Sequence, residues 1–293
     1  MRALVMAGMV GVGGAATTGV AAAQPRDTPW PSDAEWVAQC RDDPQRSGDG
    51  RPVYWSGDAR AVHCEVRVVD LPRPSAGTAL VVDGRPYGGA AIRGGDGDHV
   101  VVHARIQTRA ATQAAADAAA RAVTVRTGGN RVVADGPPES DRAQWSVLFA
   151  IDAPTHLDLE VTTQHGPATI RAVRGTIRVA VLNGPLALDG VAGDVHARSV
   201  NGPLTVRLTG ARWDGAGLDA ETQNGPVALT IPDGYSAALE AGTVTGPQLW
   251  ARTAAITPPG PGTGRIHATL GRGGAPVRVV TTNGPFAMRQ GRP

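Results

Sequence analysis

The sequence contains no lysine, few aromatic residues and little net charge. The absence of lysine reflects a base-composition bias of the genome and excludes no function. Aromatic residues make up only 4%, while there are 39 glycines and 23 prolines, a composition that argues against a helical bundle and favours short strands joined by turns. The formal net charge of +2 lacks the strongly basic character of a nucleic-acid-binding protein, so we expect no nucleic-acid partner.

Common catalytic motifs are also missing. The sequence has no G-x-S-x-G, no H-E-x-x-H and no P-loop, and its histidines do not recur at one repeat position. Asp214, Asp219 and Glu221 are the best candidates for paired carboxylates of a glycosidase, although solvated loop acids are the simpler interpretation. We therefore predict no catalytic residue, no cofactor and no metal site.

The N-terminus has the features of an export signal. Residues 1–23 carry Arg2, an apolar stretch rich in Ala, Gly and Val, and the small residues Ala21-Ala22-Ala23, so we predict a signal peptide that is cleaved before Gln24. No later run reaches the length of about 18 apolar residues that spans a bilayer, so the mature chain should have no transmembrane span. The expected location is the periplasm, the cell surface or the extracellular space.

The sequence has two cysteines, Cys40 and Cys64. In an exported chain such a pair predicts a disulfide, here closing a loop of about 25 residues and stabilising the fold by about 3 kcal/mol. A metal site with the adjacent His63 is the alternative, but it lacks the ligand spacing of a tetrahedral site. We interpret residues 24–61 as a cap and loop segment around the disulfide, in which we expect four aromatic residues to pack: Trp30, Trp36, Tyr54 and Trp55. A carbohydrate-stacking surface is the alternative for these aromatic residues.

An x-Gly-Pro triplet repeats through the second half of the chain. The first glycines, Gly166, Gly184 and Gly202, are 18 residues apart, and later spacings are 23, 21 and 38 residues. A period near 20 residues is typical of repeat architectures. The predicted turn residues are Gly166, Pro167, Asn183, Gly184, Pro185, Asn201, Gly202, Pro203, Asn224, Gly225, Pro226, Gly246, Pro247, Asn283, Gly284 and Pro285.

Between the triplets, apolar residues alternate with polar ones, which predicts two short strands per repeat. Stacking the repeats would bury their apolar faces, so we predict an all-β fold with a stacked β-solenoid of about 18–20 residues per rung at 155–293. Residues 62–154 should form a β-rich first part with one short α-helix near 110–122, where the sequence is rich in alanine. Because Asn-Gly is also a strong hairpin signal, an antiparallel meander or sandwich is the rival fold.

Four arginines lie at the polar positions of the predicted strands: Arg171, Arg178, Arg198 and Arg207. They could form a basic outer face that binds acidic glycans or phospholipid headgroups. The alternative is a solvated strand surface without a ligand.

The repeats, which include VLNGPLALDGVAGDVHARSVNGPLTV and TTNGPFAM, resemble those of a bacterial putative-adhesin family. The strand Cys64-Glu65-Val66-Arg67 and the following Leu71-Pro72 are also similar, and the resemblance covers residues 62–289. Proline stands here where that family usually has Gly or Asp. The resemblance implies a β-solenoid in an exported or envelope protein and no established catalytic residues.

These observations favour a non-enzymatic exported scaffold whose partner is an envelope protein, a glycan or a lipid. A polysaccharide-active β-helix lyase or hydrolase is the second hypothesis; it requires acids and arginines near 171, 189, 194 and 207 to line one cleft. A structural or stress-sensing partner of a membrane protein is the third. Open solenoid ends would also favour self-association.

We predict that the exported protein begins at Gln24. Intact-mass and N-terminal peptide spectrometry of protein recovered from outside the cytoplasm should show this start, because the Ala21-Ala22-Ala23 sequence satisfies the small-residue rule for cleavage. Recovery of the chain with residues 1–23 still attached would contradict the prediction.

Overall fold

The computed structural model describes residues 30–42, 61–138, 143–250 and 264–291. The predicted signal peptide, Tyr54 and Trp55 lie outside these residues. The described elements are α1 Asp33–Asp42, β1 Ala61–Pro72, β2 Leu80–Asp83, β3 Gly89–Gly95, β4 His99–Ala110, α2 Gln113–Ala122, β5 Thr124–Arg126, β6 Arg131–Asp135, β7 Ala143–Pro154, β8 Leu159–His165, β9 Ala168–Arg171, β10 Arg174–Asn183, β11 Leu186–Asp189, β12 Ala192–Asn201, β13 Leu204–Arg207, β14 Gly217–Asn224, β15 Val227–Pro232, β16 Ala237–Thr245, β17 Gln248–Trp250, β18 Arg265–Leu270, β19 Pro276–Asn283 and β20 Phe286–Gly291.

The strands form two ten-stranded sheets, which confirms the predicted all-β class. The first sheet has the order β1-β4-β7-β3-β9-β11-β13-β15-β20-β17, and the second has the order β18-β16-β19-β14-β12-β10-β8-β2-β6-β5. From β8 to β17 each strand lies in the sheet opposite to that of the strand before it. The chain therefore passes back and forth between the two sheets, and a shared apolar core lies between them. The predicted domain boundaries near residues 61 and 154 stay predictions.

Equivalent strands of successive repeats pair in parallel. In the second sheet Ile177 of β10 is opposite Val195 of β12, and in the first sheet Leu186 of β11 is opposite Leu204 of β13. Both offsets equal the 18-residue period, so each buried position faces its counterpart in the next repeat. The antiparallel meander predicts the opposite direction for these pairs. Antiparallel pairing is found instead among β1, β4 and β7, between β5 and β6, and between β16 and β18.

The last two strands in the sequence, β19 and β20, do not lie at the ends of the two sheets, although their position in the sequence predicts that they should. Strands β19 and β20 insert between β14/β15 and β16/β17, and β18 lies at the sheet edge. The core-facing side chains fit this order. Phe286 and Met288 of β20 are buried, whereas the edge strand β17 has Gln248 and the half-buried Trp250 at the same register positions. The more apolar strand thus occupies the inner place, where both neighbours cover it.

The glycine–proline corners continue the hydrogen bonding between repeats. The Gly184 N–H donates to the Asn201 carbonyl, and the Leu186 N–H donates to the Pro203 carbonyl. The intervening Pro185 has no N–H and needs no acceptor. A Cβ on Gly184 would lie 2.3 Å from the Gly166 carbonyl oxygen, so adjacent corners approach each other too closely for any side chain.

The predicted alanine-rich helix is present as α2, and its N-cap is Thr112, whose hydroxyl accepts from the Ala115 N–H at 3.3 Å. Arg67 of β1 donates to the Ala120 and Val123 carbonyls at the other end of this helix. These bonds add donors at the C-terminal end of α2, where the last carbonyls of a helix lack the donors of a following turn.

The cap segment contains a helix, α1, that was not predicted. Its start is a capping box: the Ser32 hydroxyl accepts from the Glu35 N–H at 3.3 Å, and the Glu35 carboxylate accepts from the Ser32 N–H at 2.7 Å. Trp36 and Cys40 are one turn apart and buried. The Cys40–Cys64 disulfide attaches α1 to β1 and confirms the predicted pairing.

Substitution of Gly184 by Ala should destabilise the protein by about 2 kcal/mol or more, since the backbone of the neighbouring corner must shift to admit a methyl group. Gly97→Ala is the matched control, because a Cβ there meets nothing within 4 Å. Urea unfolding followed by circular dichroism measures both. Equal stability of the two variants would refute this account of the corners.

Candidate functional site

The four predicted binding-face arginines do not share one surface. Arg171 and Arg207 lie in the first sheet, whereas Arg178 and Arg198 lie in the second. The expected single basic face is therefore wrong. The physical reason is the alternation of consecutive strands between sheets, which separates residues that are close in sequence.

Acidic residues lie beside these arginines. Arg171 Nε is 3.2 Å from an Asp189 carboxylate oxygen, and Arg198 Nη1 is 3.2 Å from a Glu221 oxygen. Asp189 is also the cross-strand neighbour of Arg207. Opposite charges on neighbouring strands stabilise the sheet by roughly 0.2–1 kcal/mol per pair, so much of this charge is used within the fold.

The face of the second sheet turned away from the core, here called the outer face, carries a row of nine register-aligned side chains, of which all but Val81 are polar. We call this set the charged row. In strand order its members are Arg131, Val81, Glu160, Arg178, His196, Asp219, Arg278, Glu240 and His267. At about 4.8 Å per strand it extends across roughly 40 Å of the sheet.

The three acids considered as glycosidase candidates all form ion pairs with arginines, two of them with Arg278. Its Nη1 lies 2.5 Å from Asp219 and 2.8 Å from Glu221, while Asp214 pairs separately with Arg174. Both carboxylates are thus engaged by one guanidinium group. Asp189 and Asp194 also lie in different sheets. The acids and arginines required by the polysaccharide-enzyme hypothesis therefore do not line one cleft.

The corner asparagines form a hydrogen-bonded ladder. Asn201 donates to Asn183 at 2.9 Å, Asn224 donates to Asn201 at 3.0 Å, and Asn283 donates to Asn224 at 2.9 Å. Each amide is thus an acceptor or donor for the next one, and the ladder ties together the same corners that the glycines bring close. We assign it to stability rather than to ligand binding.

A cleft of about 820 Å³ lies at the β5–β6–β2 end of the outer face. Its floor is the Asp83 carboxylate at the end of β2, and this residue is only 7% exposed. Arg85 contacts the carboxylate through Nε at 2.8 Å and through Nη2 at 2.6 Å, and Arg131 contacts it through Nη2 at 3.0 Å. Parallel pairing of Asp83 with Val133 brings Arg131 to this place from 48 residues away.

The rest of the cleft combines charged and rigid groups. Arg126 lies at one side and pairs with Asp135 at 2.5 Å. Trp145 forms part of the wall, and its indole N–H donates to the Pro137 carbonyl at 2.9 Å. A Cβ on Gly136 would lie 2.3 Å from the indole ring, so Trp145 is packed against the backbone and cannot turn freely.

Hydrogen bonds from arginine keep the Asp83 carboxylate, at the floor of the cleft, in its ionised form. The hydrogen bonds from Arg85 lower the pKa of the Asp83 carboxyl below its ordinary value of 3.8, although partial burial acts in the opposite direction. Asp83 is therefore ionised near neutral pH and holds both guanidinium groups in place. Sequence reasoning missed this site, because only the two-residue spacing of Asp83 and Arg85 is visible before the strands are paired.

The described ranges contain no group of three or more His, Cys, Asp or Glu side chains placed to hold a metal ion. Within the same ranges, no helix is both long and apolar enough to cross a membrane.

No family model and no curated protein matches the chain. Among solved structures, it is similar to a putative cell adhesion protein from Clostridium sporogenes, with 10% identity, a TM-score of 0.41, and coverage of 78% of this chain and 100% of the other. A putative adhesin from Bacteroides fragilis gives 7% identity and a TM-score of 0.26, covering 80% and 100%. These scores are too low for an argument about function.

The lowered pKa of Asp83 can be tested by pH titration. Because the folded protein binds this proton more weakly than the unfolded chain, Asp83 stabilises the fold above pH of about 4, and this stability is lost as the pH falls through the folded pKa. Arg85→Gln should raise the pKa of Asp83 towards its ordinary value, as measured by NMR of the carboxyl carbon. Arg93→Gln, which removes a similar ion pair with Asp152 in the first sheet, should leave it unchanged. An unchanged Asp83 titration in Arg85→Gln would disprove the assigned cause.

Proposed function

We propose that this chain is an exported, non-enzymatic binding scaffold of the bacterial envelope, built on a β-solenoid of adhesin type. The observation that carries the proposal is the continuity of the charged row with the cleft: Arg131 is both a member of the row and part of the cleft. A ligand in the cleft would therefore meet further charged side chains at regular intervals along the same outer face.

The rigidity of this face supports a binding role. The strands that carry the row are paired along their length, and the corners between repeats are fixed by backbone hydrogen bonds and the asparagine ladder. Side chains on such strands keep their spacing without a ligand, so binding would require little ordering of the protein. An extended polymer with regularly spaced polar groups fits this geometry better than a small substrate.

The disulfide supports an extracytoplasmic location. The Cys40–Cys64 bond is stable in oxidising compartments and uncommon in the cytosol. It agrees with the export signal predicted at residues 1–23. Together these features favour the envelope or cell surface as the place where the outer face meets its ligand.

The charges of the second sheet should be needed for binding to the envelope. We expect the purified protein to sediment with cell-wall polysaccharide, and the double variant Arg178→Gln/Arg198→Gln to sediment several-fold less, because both side chains lie in the second sheet. Arg171→Gln/Arg207→Gln removes the same charge from the first sheet and should behave like the unchanged protein. The same sedimentation measurement is made in parallel with phosphatidylglycerol vesicles and with envelope membrane proteins.

Failure of the unchanged protein to bind any of these envelope components would contradict the proposed function. Equal losses in the two double variants would contradict the choice of the second sheet, since general charge attraction would then explain the binding.

A further inference from the structure

The cleft at the end of the outer face has an excess of positive charge. Three guanidinium groups, those of Arg85, Arg126 and Arg131, line it together with the two carboxylates of Asp83 and Asp135. Two of the three arginines share Asp83 as their partner. One positive charge is thus left without a compensating acid in the cleft lining, at a place where the floor is protected from water.

The guanidinium groups have hydrogen-bonding capacity beyond these pairs. Arg85 engages Asp83 through Nε and Nη2, so the two N–H groups of its Nη1 take no part in that contact. Arg131 uses Nη2 alone towards Asp83. The arginine side chains are half exposed, at 51% and 52%, and can reach a ligand in the cleft. Arginine forks of this kind bind planar carboxylates with two parallel hydrogen bonds.

The residues that line the cleft favour a sugar as the ligand over a lipid or a nucleotide. It is a recess bounded by Pro86, the fixed Trp145 and polar side chains that include Gln164, and none of the large hydrophobic residues exposed in the described chain lines it. A bilayer surface needs exposed apolar contacts, and nucleotide bases need an open aromatic face, whereas Trp145 is nearly buried. A pyranose that carries a carboxylate offers both the charge and the hydroxyl groups that such a lining can hydrogen-bond.

We propose that the cleft formed by Asp83, Arg85, Arg126, Arg131 and Trp145 binds a uronate residue of an acidic polysaccharide, with its carboxylate on the arginines. This inference rests on the proposed binding function and names the ligand class for one end of the outer face. Asp83 orients the two guanidinium groups and, by its own charge, limits how tightly the anion is held. The polysaccharide chain then continues from the cleft towards the charged row.

The test is calorimetric titration of the full chain with tetragalacturonate and with the neutral cellotetraose. We expect binding of the uronate that weakens with added salt, and binding at least tenfold weaker for cellotetraose. Arg85→Gln and Arg131→Gln should each reduce the affinity about tenfold or more, since each removes a charged hydrogen bond. Arg93→Gln is the matched control, because Arg93 contacts Asp152 through both Nε and Nη2 as Arg85 contacts Asp83, but in the first sheet.

The Asp83→Asn variant should change the affinity for the uronate in the direction opposite to that of the arginine variants. Asn keeps one oxygen that can accept from the guanidinium groups but removes the negative charge from the floor, so the proposal predicts tighter uronate binding. Thermal unfolding of each variant in parallel monitors folding. A purely structural role for Asp83 would predict unchanged or weaker binding.

Three outcomes would overturn the inference: equal affinity for the neutral sugar, equal losses in Arg93→Gln and Arg85→Gln, or binding to phosphatidylglycerol vesicles without binding to tetragalacturonate. Sedimentation with cell-wall polysaccharide that depends on Arg178 and Arg198 but not on the cleft would leave the proposed function intact and refute the uronate site. Absence of all envelope binding would refute both.

Discussion

Parallel, in-register hydrogen bonding between equivalent strands of successive repeats is the constraint on which the rest of the structure depends. It places Ile177 beside Val195 and Leu186 beside Leu204, so a single apolar pattern fills one continuous core. The same bonding passes through the corners, where Gly184 approaches the Gly166 backbone and leaves no space for a Cβ. The Asn-Gly-Pro triplets recur because each of their three residues meets a different requirement of that corner: an amide for the ladder, no side chain, and no N–H.

The register also converts spacing along the chain into a surface pattern. Residues one repeat apart become neighbours on one face, as Arg178 and His196 do, while residues seven apart, such as Arg171 and Arg178, are sent to different sheets. This explains why the four predicted binding-face arginines do not form a single basic patch. It also explains why a charged row on the second sheet leads into a cleft whose members come from β2, β5, β6 and β7.

Sequence reasoning succeeded where a local chemical requirement leaves a local signal. The all-β class follows from apolar alternation between glycine turns, α2 follows from its alanines, and the disulfide follows from the pairing of two cysteines in a chain predicted to be exported. The missed helix α1 had such a signal as well, since Ser32 and Glu35 have the spacing of a capping box. The proline- and aspartate-rich surroundings masked it.

The amino-acid sequence by itself determined the repeat length, the identity of the corner residues and the alternation that separates core from surface, because each of these depends on contacts between residues close in the chain or one period apart. Only the tertiary structure decided that β19 and β20 insert ahead of β16 and β17. That order depends on which strand offers the more apolar core-facing side chains, and β20 has Phe286 and Met288 where β17 has Gln248 and Trp250. The tertiary structure also decided which residues come together in the cleft. Asp83 and Arg131 are 48 residues apart, and their contact exists only because β2 and β6 pair in one particular register.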